Sequence, residues 1–188
     1  NSQDHHDIAK DMNEWIKKVK EYTEYMSDII TAVKGQAVTL SETDNVSFDL
    51  DELVKRVNIL MRHELKHSIT YLNIKMNIDK NTVINGDINS LVQVINNMIS
   101  NSIQAYNGKP EQNIDLILNE VDNNLVISVK DYGCGLPKKV QDKLFKEMIT
   151  TKGKNGTGLG LYMSYSTIKA HFNGNITFET EDGKGTTF

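Results

Sequence analysis

Two glycine-rich boxes, about twenty residues apart near the C-terminus, constrain this chain more than any other feature. The first runs Asp131-Tyr132-Gly133-Cys134-Gly135 and the second Gly156-Thr157-Gly158-Leu159-Gly160-Leu161. A helix-like stretch bearing Asn96, Asn97 and Asn101 precedes them, and a Gly183-Lys184-Gly185-Thr186 turn follows. Glycine tolerates backbone conformations and close approaches that other residues do not. Either box alone is a weak signal. In this order they describe a nucleotide pocket closed by a mobile segment.

Composition removes several alternatives. With 188 residues, the chain has room for one domain of ordinary size and an appendage. A net charge of −4 argues against a nucleic-acid binder, which would usually show a basic face. No apolar run approaches the roughly 20 residues of a membrane span, so no membrane contact is expected within the chain. Cys134 is the single cysteine, so no internal disulfide can form. A reducing, cytoplasmic setting is the simplest expectation. The abrupt start and the end at Phe188 suggest part of something longer.

Periodicity divides the chain in two. Over 8–36, apolar residues at Ile8, Met12, Trp15, Ile16, Val19, Tyr22, Met26, Ile29, Ile30 and Val33 recur at helical spacing. Such a stripe cannot bury itself and requires a partner helix. A polar linker follows, and the boundary is set between 1–41 and 42–188. In the second part, Asp49 with Glu52 forms a capping box, after which Leu50, Leu53, Val54, Val57, Leu60, Met61 and Leu65 trace one helical face. A strand is expected at 82–84. Asp87 then caps a helix whose stripe is Ile88, Leu91, Val92, Ile95, Met98, Ile99 and Ile103. Alternation over 114–120 and 125–130, joined at Asp122-Asn123-Asn124, predicts a hairpin. A helix over 159–172 and closing strands at 175–180 and from Thr186 complete the pattern. The expected class is α/β, with helices on one face of a mixed sheet.

The chemistry follows from residue types. Gln93, Asn97 and Asn101 stand at steps of four, an amide line beside the apolar stripe. Amide oxygens are hard neutral ligands suited to magnesium; an Asn-rich solvated face would look the same. Asp131, ending a strand, can accept a hydrogen bond from an amino group such as that of adenine. Gly133 and Gly135 let backbone approach a flat ring; an ordinary turn would look the same. Gly156, Gly158 and Gly160 precede a helix, where free N–H groups favour phosphate.

Together these boxes resemble the catalytic domain of sensor histidine kinases. Gln93 to Ala105 is similar to their N box, Asp131 to Gly135 to the first glycine box, Leu144-Phe145 to the F box, Gly156 to Leu161 to the second glycine box, and Gly183 to Thr186 to a final one. The first helix is similar to the second helix of their dimerisation hairpin. The resemblance implies a two-layer α/β sandwich of the Bergerat ATP-binding type, preceded by a long dimerisation helix. It implies that Asn101 holds magnesium, with Asn97 beside it, and that Asp131 reads adenine between Gly133 and Gly135. An ATP lid would span about 136–157. Gly156, Gly158 and Gly160 would wrap the phosphates, Thr157, Leu159 and Thr186 would join the ATP-binding residues, and Lys152 would meet the γ-phosphate in competition with Lys146 and Lys154. Gln104 stands where many members carry lysine.

The same resemblance separates functions. Type II topoisomerases, mismatch-repair ATPases and a heat-shock chaperone share this pocket but carry a glutamate base where this chain has Asn97. A neutral amide cannot take a proton from water. The implied partners are Mg-ATP, a second copy through the first helix, and a response regulator receiver domain. A related ATPase or serine kinase, or an inactive ATP-binding dimerisation module, are the alternatives. The phosphoacceptor histidine is not identified: His6-Asp7 has the expected dipeptide but no following proline, so the acceptor is expected upstream of Asn1. A further pattern, His63-Glu64-Leu65-Lys66-His67, spells the zinc-protease motif. Its histidines fall off the apolar stripe, no third ligand is evident, and the role of Glu64 is not legible.

Overall fold

Asp49 starts the ordered architecture as expected, its side chain accepting from the Glu52 N–H at 2.7 Å. The computed structural model describes residues 11–12, 14–16, 18–19, 23, 47–145 and 159–188, the side chain of Leu159 excepted. From the cap, α1 (Leu50–Ser68) runs to Ile69, whose left-handed φ of 50° ends it. Strand β1 (Ser47–Asp49) pairs antiparallel with β3 (Val83–Asn85) in a two-stranded ribbon. Helix α2 (Ile88–Ala105) begins at Asp87, which accepts from the Asn89 and Ser90 N–H groups. Strands β4 (Gln112–Val121) and β5 (Asn124–Lys130) form the predicted hairpin. Asp122 and Asn123, both at positive φ, make the two-residue turn whose twist suits a hairpin. A short helix, α3 (Lys138–Gln141), precedes α4 (Leu159–Phe172), and strands β6 (Glu179–Glu181) and β7 (Gly185–Thr187) finish the fold.

The main sheet has the order β2-β4-β5-β7-β6, where β2 (Thr70–Asn77) runs parallel to β4 and the other pairs are antiparallel. α2 lies between α1 and α4, and the three helices cover one face of the sheet. This is the expected two-layer α/β arrangement with a mixed sheet. The core is built from α1 (Leu50, Leu53, Val57, Met61, Leu65), the α2 stripe and the alternate β4 residues Ile114, Leu116 and Leu118. Burying such side chains is worth about 1.5–3 kcal/mol each, so the sandwich rests on this interlayer seam.

Three expectations are corrected. Leu60 does not join the buried face. The buried positions step 50-53-57-61-65, so Leu60 is turned toward the outer rim beside Ile59, and both are about 60% exposed. The eight-residue β2 was not expected at all. The closing strand expected at 175–180 is paired only from Glu179. Of the first amphipathic stretch, residues 11–12, 14–16, 18–19 and 23 are helical, with Met12, Trp15, Ile16 and Val19 all exposed. The rest of 8–36, the linker, the proposed boundary at 42 and His6 lie outside the described residues.

Candidate functional site

The first glycine box and the final turn interlock around Asp131. Its side chain is 2% exposed. One carboxylate oxygen, Oδ1, accepts both the Gly133 N–H at 2.9 Å and the Thr186 N–H at 3.2 Å. The Asp131 N–H donates in turn to the Thr186 carbonyl at 2.9 Å. Burial pushes the carboxyl above the usual aspartate range; the two backbone N–H groups oppose that shift, and the nearby Ser102 hydroxyl also opposes it. Ser102 Oγ is itself buried without a hydrogen-bond partner. Its influence on Asp131 is therefore that of a neighbouring dipole, not of a formed bond.

Two glycines are required here by space. A Cβ on Gly133 would stand 2.7 Å from both the Cβ and the carbonyl oxygen of Ala105. Gly185, at φ +116°, faces the Asp131 carbonyl so closely that a Cβ would fall 2.1 Å from it. The box is thus pressed between the C-terminal end of α2 and the β6–β7 turn. Cys134 adds two ties, donating its N–H to the Ala105 carbonyl and accepting from the Gly183 N–H. Its side chain is exposed.

The amide line on α2 divides. Asn97 and Asn101 are half-buried. Asn97 Nδ2 donates to Ser164 Oγ on α4 at 3.2 Å. Gly160, in the first turn of α4, backs onto the Asn97 side chain at 3.9 Å from where its Cβ would lie. Gly160, at the described end of the second glycine box, is therefore a neighbour of the N-box helix. Gln93 goes elsewhere: it lines a surface cavity of about 550 Å³ between α1 and α2, with Arg56, Ile59, Leu60, Asn89, Val92 and Asn96. None of the described glycine-box residues lines that cavity.

Phe145, the F-box aromatic, stacks on Tyr165 of α4 at 5.3 Å between centroids and meets Phe178 and Phe188 edge-on. Leu144 beside it is buried. This cluster anchors the chain where it enters the stretch 146–158. Lys152, Gly156, Thr157 and Gly158 belong to that stretch and lie outside the described residues, as do Lys146 and Lys154.

Sequence reasoning missed Ser164, buried to 2%, because a serine within an apolar helix carries no motif. It also missed the partner of Glu64, which accepts from Ser100 Oγ on α2 at 2.8 Å. Glu64 is thus a tie between α1 and α2. His63 and His67 stack with exposed rings 6.5 Å apart. Among the described residues, no group of three His, Cys, Asp or Glu side chains is placed to hold a metal.

With this geometry in place, comparison with known proteins is decisive. The family model described as histidine kinase-, DNA gyrase B- and HSP90-like ATPase matches residues 86–188. The chain belongs to that family. Curated relatives include sporulation kinases and a sensor protein kinase. Sporulation kinase A of Bacillus subtilis (strain 168) is 32% identical over 165 residues, which are 87% of this chain and 25% of that protein. The chain therefore spans about a quarter of that relative's length. Among solved structures, full-length ShkA in complex with AMPPNP superposes with a TM-score of 0.71 at 20% identity, covering 94% of this chain and 37% of that one. Histidine kinase ThkA in complex with response regulator protein TrrA gives 0.66 at 22%, covering 88% and 47%. These likenesses establish the ATPase-family fold.

Proposed function

We propose that this chain is the ATP-binding part of a protein histidine kinase, which binds Mg-ATP and presents the γ-phosphate to a histidine elsewhere in the full-length protein. The observation that carries the reading is Asn97. It stands one turn before Asn101, beside Gly160 and hydrogen-bonded to Ser164. The hydrolytic relatives carry a base there; a neutral amide leaves water unactivated. Phosphoryl transfer depends chiefly on positioning and charge neutralisation, and a pocket without a base serves transfer to a protein nucleophile.

The residue roles follow the same logic. With Asp131 Oδ1 occupied by two backbone N–H groups, the carboxylate is oriented and its other oxygen is the acceptor for the adenine amine. Asn101, with Asn97 beside it, supplies amide oxygen suited to magnesium, which takes few protein ligands; when bound, the ion neutralises phosphate charge. Gly156, Thr157, Gly158, Leu159 and Gly160 wrap the phosphates, Lys152 reaches the γ-phosphate, and Thr186 closes the base end. Residues 1–41 and 42–188 act as separate units, the first pairing two copies through a helix whose Met12, Trp15, Ile16 and Val19 are exposed. A response regulator's aspartate is the next acceptor; the ThkA neighbour is itself bound to one. Among the described residues, no helix is long and apolar enough to cross a membrane, and the unit works in the cytoplasm.

The test is incubation of the full-length protein with ATP labelled in the γ-phosphate. Acid-labile, base-stable label on histidine is expected. Acid-stable label on serine, or brisk release of phosphate without protein labelling, would overturn the proposal.

A further inference from the structure

We infer that Tyr106 is a positioning residue for base recognition: its phenol fixes the Asp131–Tyr132 peptide to the end of the asparagine-bearing helix and thereby sets selectivity for adenine. The inference rests on the nucleotide reading above and deepens it.

Tyr106 is the C-cap residue of α2, and its ring is 3% exposed. Its hydroxyl accepts the Tyr132 N–H at 2.9 Å and donates to the Asn113 carbonyl at the start of β4. The Tyr132 nitrogen belongs to the peptide immediately after Asp131. One hydroxyl therefore ties three pieces together: the end of α2, the start of β4 and the end of β5 where the adenine-reading acid stands. Burial raises the Tyr106 pKa, which keeps the phenol protonated and able to donate.

The consequence is geometric. Asn97 and Asn101, at the phosphate end, and Tyr106, at the base end, lie on or cap one rigid helix. That helix already touches the first glycine box through the Ala105 carbonyl, which accepts from Cys134 N–H, and through Gly133. Those contacts hold the box downstream of Asp131; the Tyr106 hydroxyl reaches the peptide adjoining it. A hydrogen bond reads a base only when its acceptor is held to within a few tenths of an ångström. Without the hydroxyl, the Tyr132 N–H loses its partner, and the Asp131 end of β5, still tied to Thr186, loses its tie to the end of the helix that bears the two asparagines. Phosphate contacts, made farther along the helix, would survive.

The experiment is Tyr106→Phe in this chain, with dissociation constants for ATP and GTP measured by calorimetry in magnesium alongside the melting temperature. The ATP-over-GTP preference should fall tenfold or more, through weaker ATP binding with GTP binding little changed. Ile127→Val, a core substitution on β5, should lower the melting temperature without moving the ratio. An unchanged ratio in folded Tyr106→Phe overturns the inference while leaving the nucleotide reading intact. A wild-type chain with no preference for ATP overturns both. Should Tyr106→Phe fail to fold, hydrogen exchange in the wild-type chain decides. The Tyr132 amide proton should be protected, and protected further by ADP but not by pyrophosphate; exchange at the rate of an open amide would overturn the inference.

Discussion

Asn97 Nδ2 donates a hydrogen bond to Ser164 Oγ at 3.2 Å, linking the asparagine helix to the helix that follows the second glycine box. The donor is the amide nitrogen, so the amide oxygen is turned away from Ser164. The serine thus selects which end of the amide a ligand meets. Removing a neutral hydrogen bond of this kind costs about 1 kcal/mol. Ser164→Ala should therefore weaken Mg-ATP binding about fivefold, measured by calorimetry, with the domain still folded. Unchanged affinity would show that Asn97 is oriented by something else.

The proposed function gives Asn101 to the ion. Asn101→Ala should lower ATP affinity in magnesium to the level seen with chelator, while affinity without magnesium barely moves. Titrations with and without the metal separate this outcome from general damage to the pocket, which would depress both.

Asp131 and Asp115 give opposite pH signatures. Burial raises the Asp131 pKa, so this group binds more protons folded than unfolded. Its contribution to stability is greatest at low pH and declines as pH rises from 3.8 through the raised value. In the proposed role nucleotide binding uses the charged form, so affinity should fall on acidification, starting above the ordinary aspartate range. Asp115 is buried as well, but hydrogen bonds from Asn73, Lys75 and Tyr132 overcome the burial and lower its pKa. Its stabilisation is present above 3.8 and is lost as pH falls through the lowered value. Asp131→Asn should flatten the first stability effect and Asp115→Asn the second, as read by melting temperature against pH. An affinity profile that begins to fall only within the normal aspartate range would contradict the assignment of Asp131.

Gly185 is tested by stability rather than binding. At φ +116°, with the Asp131 carbonyl where a Cβ would go, Gly185→Ala incurs backbone strain of about 1–3 kcal/mol and must also move β7 away from β5. A melting temperature lower by several degrees is expected. A neutral outcome would mean that the turn is not pressed against the box.

Much of this arrangement could be read from residue types. The caps at Asp49 and Asp87 were legible because a short acid before an apolar period satisfies orphan N–H groups in one way. The β4–β5 hairpin was legible because Asp122-Asn123 suits positive φ. Strand β2 was overlooked although Leu72, Ile74 and Met76 alternate with Asn73, Lys75 and Asn77. Its polar face is satisfied by cross-strand amide pairs such as Asn73 with Asn113 and Asn77 with Asn119, and strings of asparagine suggest loop when seen in isolation. Asp131, Gly133 and Gly160 stood out because glycines flag close approach. Ser164, Ser100 and Tyr106 did not, because each acts through a partner remote in sequence, and a single polar atom on an otherwise ordinary helix leaves no period. Gln93 parts from the amide line because a four-residue step drifts around the helix, and it lines the cavity between α1 and α2.

The most direct measurement is a calorimetric titration of this chain with ATP and magnesium beside Asp131→Asn. The wild type should bind one nucleotide per chain, saturably. The variant exchanges an acceptor oxygen for an amide nitrogen facing the adenine amine, so it should lose that binding while melting at the same temperature or higher at neutral pH. Equal binding by the two proteins, or none by the wild type, would contradict the account.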